Sequence, residues 1–489
     1  MSPGPRATLL ADRIDAAIAR DPAAPAFLGP ATLTYGELRP LLGAAMRFLD
    51  ARGVRAGQVV SLTMSQSPLH VIAFLALARL GAISLSVSPM ARESDRAALY
   101  QRFGVTAAVS ELETMGAPGV PLILLRTIGA RGDEADFRSW PYEPVDSTPM
   151  RIALTSGTVG QQKGIEQTHG EYAVRLDRRF YGDDPRPRVL PPNLHITASL
   201  TLACHALTTG GAVVFPKGYD AHSLFEAVAR FGVTHMMMPP AHVAMMLPLL
   251  DAKGPAFPGV RHLRLLGATP AAPLLDEIRR KVTPNVYVPY ATTELGVISI
   301  ATPGILAVAP ASSGRVTPDA EVQVIGPDGR VLPAGQSGEL RARVPAMPLR
   351  YFGGADPERF REGWFHPRDY GYIGTDGFLY VQGRIDEVIN VGGRKLAPAY
   401  AESVLEERDE VREAAVFAIE DMGVAALVAA NGAVDWKALD EFARGRLEIF
   451  APRRYYEVEE IPRNAMGKIV RSGLAELAAS GRATLRHPA

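Results

Sequence analysis

Between Gly57 and Pro289, short β-like apolar runs alternate with stretches of helical spacing, which commits the chain to a layered α/β architecture. Gly57–Met64 reads as a strand, His70–Leu80 as a helix and Ile83–Val87 as the next extended run. Val105–Val109, Pro121–Leu125 and Arg151–Leu154 continue the β-like series. Ala212–Phe215, the helix Ala221–Phe231, the strand Val233–Met238, His262–Leu266, the helix Ala272–Val282 and the strand Val286–Pro289 repeat the unit. Strands separated by helices imply largely parallel sheets.

From about Glu321 the texture changes. Glu321–Ile325, Glu339–Arg343 and Phe378–Val381 read as strands, with Asp-Gly turns at Asp328-Gly329 and Asp376-Gly377, so an antiparallel β module follows the α/β layers. The charge-mixed remainder carries a helix at Ala399–Arg408, a strand at Glu413–Ile419 and a helix at Trp436–Glu448. The expected fold is α/β: a large N-terminal region (1–384) of stacked α/β layers plus the β module, then a small α+β C-terminal domain (385–489). The cleanest boundary is Gly383–Asp386.

Composition narrows the function classes. The 52 Lys and Arg balance 52 Asp and Glu, which argues against an electrostatically driven nucleic-acid binder. The single cysteine, Cys204, rules out a disulfide framework within the chain and suits a reducing compartment. The apolar stretches Val71–Val87 and Ile196–Phe215 are broken by Arg79, His205 and glycines, so they read as buried core rather than membrane spans. The first twenty residues mix acids and bases through the apolar positions, unlike a signal peptide. A large, soluble, cytoplasmic globular protein is expected.

The densest chemistry lies at Thr155–Gly164, directly after the run Arg151–Leu154. Thr155, Ser156, Gly157, Thr158, Gly160, Lys163 and Gly164 combine flexible backbone, hydroxyl donors and one point charge, a set suited to a polyphosphate. The pattern GxxxxGK followed by Ser or Thr fails, because Gly164 stands where the metal-binding hydroxyl belongs, so a P-loop NTPase is disfavoured.

The segment resembles the phosphate loop of the adenylate-forming superfamily, roughly S/T-S-G-T-T-G-x-P-K-G, with Val159 and Gln162 as departures. Further segments match in the family's order. Leu266-Gly267-Ala268-Thr269-Pro270 resembles its adenine-contacting G-G-A-P. Tyr290-Ala291-Thr292-Thr293-Glu294 resembles Y-G-x-T-E. Gly363–Asp369 resembles G-W-F-x-T-G-D, with Pro367-Arg368 replacing Thr-Gly. Gly383–Arg394 resembles the hinge motif G-R-x-D-x-I, and Pro462–Arg471 the C-terminal P-R-x-x-x-G-K-x-x-R.

The resemblance implies that a carboxylate attacks Mg·ATP to give an acyl-adenylate and pyrophosphate, after which the thiol of CoA displaces AMP. Charge builds on the α-phosphate, so the protein should offer cations and donors there. By carry-over, Lys468 reaches the carboxylate and α-phosphate, Thr293 donates to the α-phosphate and Glu294 holds Mg²⁺. Asp369 accepts from the ribose, Arg384 contacts ribose or phosphate, and Tyr290 flanks the adenine or acyl group. Asp386 marks the hinge about which the small domain rotates, and Gly393 lets backbone approach a pantetheine arm. Each residue also has a plainer alternative: an N-cap for Thr293, a helix N-terminal acid for Glu294, a turn residue for Asp369, a hairpin for Gly392-Gly393.

The same resemblance places the carboxylate pocket on Asn193, His195, Ser199, Met236, Met237, Met238, Gly267, Ala268 and Thr292. Leu190–Ala203 contains no acid to hold an α-ammonium, so an aryl or short-to-medium acyl carboxylate is expected rather than an amino acid. The alternatives are a stand-alone enzyme that loads the phosphopantetheine of an acyl carrier protein, and a non-catalytic nucleotide-binding protein.

Overall fold

A computed structural model of the chain describes residues 9–128, 143–155, 162–178, 184–250, 254–267, 270, 272–391, 394–419, 423–463 and 469–488. A nine-stranded sheet runs in the order Arg315–Val316, Gly296–Ala301, Val286–Thr292, His262–Leu265, His235–Met238, Arg188–Leu190, Ala212–Val214, Pro25–Leu28, Leu33–Thr34. A second sheet runs Leu122–Leu124, Val105–Ser110, Val59–Leu62, Ile83–Ser86, Pro149–Leu154, Gly164–Thr168. Both have parallel centres, as the alternation predicts. Antiparallel strands close the first sheet at both edges and the second at Gly164–Thr168.

The two sheets share a core. The helix Pro68–Leu80 is apolar all round and buries ten of its thirteen residues, the pattern of a helix enclosed between layers. Pro68 opens it two residues before the expected His70, because proline at the first helical position gives up no hydrogen bond. The helix Thr197–Thr209 is equally enclosed and carries the buried Cys204.

The expected strand Val286–Pro289 runs on to Thr292, turns through Thr293–Leu295 and returns as Gly296–Ala301. Thr293 and Glu294 therefore sit in a tight β-turn, not at a helix start. Gly296 adopts φ 71°, a left-handed conformation that favours glycine, and Thr292 Oγ1 accepts from Leu295 N at 3.1 Å.

The antiparallel module holds Glu321–Ile325, Gly338–Arg343, Asp369–Ile373 and Leu379–Arg384, plus the short strands Phe360–Arg361 and Trp364–Phe365. Asp369 is no turn residue: it opens a strand and faces Arg384 directly across the ladder.

After Arg384 comes the single 3₁₀ turn Ile385–Glu387, with Asp386 exposed. The strands Ile389–Val391 and Arg394–Leu396 pair antiparallel. A four-stranded sheet of Val411–Ile419, Gly423–Ala430, Arg454–Val458 and Thr484–Pro488 packs with the helices Pro398–Leu405 and Trp436–Leu447 around a separate core of Val416, Val428, Leu439 and Tyr455. Gly423–Ala430 escapes sequence reading because its alanines carry no strand preference. Its central, buried position between two partners decides the conformation. No helix among the described residues is long and apolar enough to cross a membrane.

Candidate active site

The phosphate-loop segment leaves the strand Pro149–Leu154 and returns into Gly164–Thr168, with Leu154 opposite Gly164. Thr155 N donates to the Lys163 carbonyl at 2.9 Å, and Lys163 N donates to Thr155 Oγ1 at 3.1 Å. Gln162 Nε2 donates to the Thr155 carbonyl at 2.9 Å, so this departure from the family pattern fastens the neck of the loop. A Cβ on Gly164 would stand 2.4 Å from Phe103 Cε1 and 2.7 Å from Ile152 Cγ2, which is why only glycine fits there. Ser156, Gly157, Thr158 and Gly160 lie outside the described residues.

Lys163 joins this neck to the Thr293–Glu294 turn through residues that sequence reading missed. Its Nζ pairs with Asp356 Oδ2 at 2.5 Å and stands 5.1 Å from the Tyr351 ring centroid. Tyr351 in turn donates its hydroxyl to Glu294 Oε1 at 2.5 Å. Burial, followed by the Glu294 charge, pushes that hydroxyl far above the ordinary tyrosine range, so it acts as a donor. The Glu294 side chain is buried. Arg175 fixes the turn from behind by donating to the carbonyls of Thr293 (3.0 Å) and Glu294 (2.8 Å). Burial pushes Arg175 down to about 10, which leaves it cationic at neutral pH. Tyr351, Asp356 and Arg175 carry no local sequence signature, since only the fold brings them to the motif residues.

A second cluster forms where two sheets meet. Tyr290, on the strand Val286–Thr292, donates its hydroxyl to Asp369 Oδ2 at 2.5 Å. Arg384 NH1 donates to the Pro367 carbonyl at 2.8 Å and approaches Asp369 Oδ1 at 3.4 Å. Burial and the Asp369 charge push the Tyr290 hydroxyl well up, so it stays protonated. Pro367 departs from the family motif yet still supplies the carbonyl that seats Arg384.

Asn193 and His195 are half-buried and precede the helix Thr197–Thr209. Burial pushes His195 down to about 4, so its imidazole is neutral at pH 7. Met237 is buried in the core that also holds Leu194 and Leu200, while Met236 and Met238 face the opposite core. Ser199 is fully buried and Thr292 half-buried. Gly267 closes its strand at φ 89°. Ala268, Thr269, Gly393 and Lys468 lie outside the described residues. Among the described residues no group of three His, Cys, Asp or Glu converges as a metal site.

The model of a family described as "AMP-binding enzyme" matches residues 14–352, well over half of the chain. The chain belongs to this AMP-binding enzyme family. It is 30% identical to the 2-succinylbenzoate–CoA ligase of Geobacillus kaustophilus, over 92% of this chain and 94% of that protein. It is 28% identical to the fatty acid–[acyl-carrier-protein] ligase ScoC of Streptomyces coeruleorubidus, over 93% and 94%. Its fold matches that of the o-succinylbenzoate CoA synthetase (MenE) from Bacillus subtilis in complex with the acyl-adenylate OSB-AMP, with a TM-score of 0.82 at 22% identity, covering 94% of this chain and 97% of that one.

Proposed function

We propose that this AMP-binding enzyme activates an aryl or short-to-medium acyl carboxylate with ATP and passes the acyl group to the thiol of CoA, releasing pyrophosphate and then AMP. The observation that carries the reading is convergence. Motif residues far apart in the chain come together in two clusters: Tyr290, Asp369 and Arg384 through hydrogen bonds, and Lys163 with the Thr293–Glu294 turn, both against Tyr351. The first offers a fixed carboxylate and a guanidinium, which suit ribose hydroxyls and a phosphate. The second offers an ammonium beside a glycine-rich neck and a buried carboxylate, which suit a polyphosphate.

Glu294 fits Mg²⁺: it is a hard oxygen donor held by Tyr351, and with no protein cage around it among the described residues the remaining ligands would be phosphate oxygens and water. When bound, the ion would neutralise charge on the phosphates. Lys163 and Thr293 would orient the polyphosphate, while His195 and Asn193 border the organic acid. We further propose that residues 1–384 form the body and 385–489 a small domain that turns about Asp386. Exposed in a single short turn, Asp386 is free to absorb the backbone change. That turn would exchange Lys468 at the carboxylate for Gly393 at the thiol.

The likeness to ScoC favours a second acceptor, a carrier-protein phosphopantetheine. Pyrophosphate release over a panel of carboxylates, followed by product analysis with CoA or with a loaded carrier protein, tests both. A thioester formed with CoA is expected. Adenylation with no CoA thioester would overturn the acceptor assignment. Lys468→Ala should abolish adenylation while ATP binding persists, and unchanged turnover would refute its role.

A further inference from the structure

The strand Pro149–Leu154 buries a whole arginine. Arg151 is 2% exposed and sits between the rings of Phe74 and Tyr172, its guanidinium carbon 5.8 Å from each centroid. Among the described residues no carboxylate pairs with it, and its NH1 has no hydrogen-bond partner. Its NH2 meets only Thr197 Oγ1, at 3.3 Å. Its charge is felt by His70, Tyr172, Arg175 and Cys204. A guanidinium removed from water with neither a counter-charge nor a full set of acceptors is strongly unfavourable, so the arrangement calls for an anion.

A second feature lies beside the guanidinium, whose NH2 meets the first residue of a helix. Thr197 begins a thirteen-residue helix whose N-cap is Ile196, and no side chain caps it. The first N–H groups of such a helix lack partners within it and carry the positive end of its dipole. Ser199, in that first turn, is fully buried with its hydroxyl unpartnered. A buried guanidinium and an uncapped helix end thus adjoin at Thr197, two residues along the chain from His195.

We propose that Arg151 and the N-terminus of the helix Thr197–Thr209 form an anion subsite that binds a second carboxylate of the organic acid, so that the substrate is a diacid, apolar in its middle and anionic at its far end. The inference rests on the ligase reading and narrows it. The guanidinium offers a planar pair of donors that matches a carboxylate. On the ligase reading the carboxylate to be activated would lie toward Lys163 and Thr293, and the remote one would meet Arg151. The same donors would accept a free inorganic anion, so the test separates the two sources.

The full-length protein is assayed by pyrophosphate release with aromatic monoacids and with the same skeletons bearing a second carboxylate at increasing distance. Expected is a kcat/KM at least tenfold higher for one diacid than for its monoacid parent, a ratio that falls at least tenfold in Arg151→Met and is partly restored in Arg151→Lys. The diacid alone should also raise the melting temperature of the native protein more than its monoacid does, a readout that survives if Arg151→Met fails to fold. Equal ratios for all pairs, or a ratio unmoved by the substitution, would overturn the inference while leaving the ligase reading standing. Equal stabilisation by sodium sulfate would assign the subsite to a free anion and overturn it too. Failure to turn over any acid would overturn the ligase reading itself.

Discussion

Tyr351→Phe isolates one bond. The substitution keeps the ring that packs against Phe360 (centroids 5.1 Å apart) and stands 5.1 Å from Lys163 Nζ, and removes only the hydroxyl that donates to Glu294 Oε1. A hydrogen bond to a charged, buried partner contributes about 1.5–3 kcal/mol. If Glu294 must be held in one place to order the metal and phosphates, that loss appears in the transition state. At about 1.36 kcal/mol per factor of ten, kcat/KM for ATP should fall by roughly 10- to 150-fold. Pyrophosphate release at saturating acid measures it, and the melting temperature of the same samples measures the structural share. Tyr351→Leu, which also removes the ring beside Lys163, should fall further. Unchanged kcat/KM in Tyr351→Phe, with or without loss of stability, would refute the argument, because Glu294 would then need no positioning.

Gly164→Ala should weaken ATP binding and destabilise the fold by about 1–3 kcal/mol, since its Cβ must displace Phe103 and Ile152 at the neck of the loop; nucleotide titration and thermal melting check both. Acid should destabilise the protein through three histidines withdrawn wholly or partly from water. His70, His169 and His195 are each pushed by burial from 6.5 to about 4, so between those values the unfolded chain binds more protons and stability falls as the pH drops. Melting temperatures from pH 7 to 4 should show this decline, with a shallower slope in His169→Gln. Burial pushes the Cys204 thiol up to about 11, so a thiol reagent at pH 8 should leave the native protein unlabelled and react fully on denaturation.

Strand–helix alternation alone marked the parallel sheets, the enclosed helix Pro68–Leu80 and the change to an antiparallel module at Glu321, whereas Thr197–Thr209 read only as buried core, because a helix buried on every side writes no face into its residue spacing. Ordered motifs likewise named Tyr290, Glu294, Asp369 and Arg384, since glycines, acids and cations at set spacings state their chemistry locally. Spacing could not say that Asp369 faces Arg384 across a ladder, or that Thr293 and Glu294 occupy a β-turn, as both depend on strands pairing elsewhere. Nor could it find Tyr351 and Asp356, which matter only through contacts made across the fold. Arg151 shows the limit most plainly. In the sequence it is one basic residue in a β-like run. Its isolation from any carboxylate among the described residues is a property of the burial around it, and burial is decided only when the layers close.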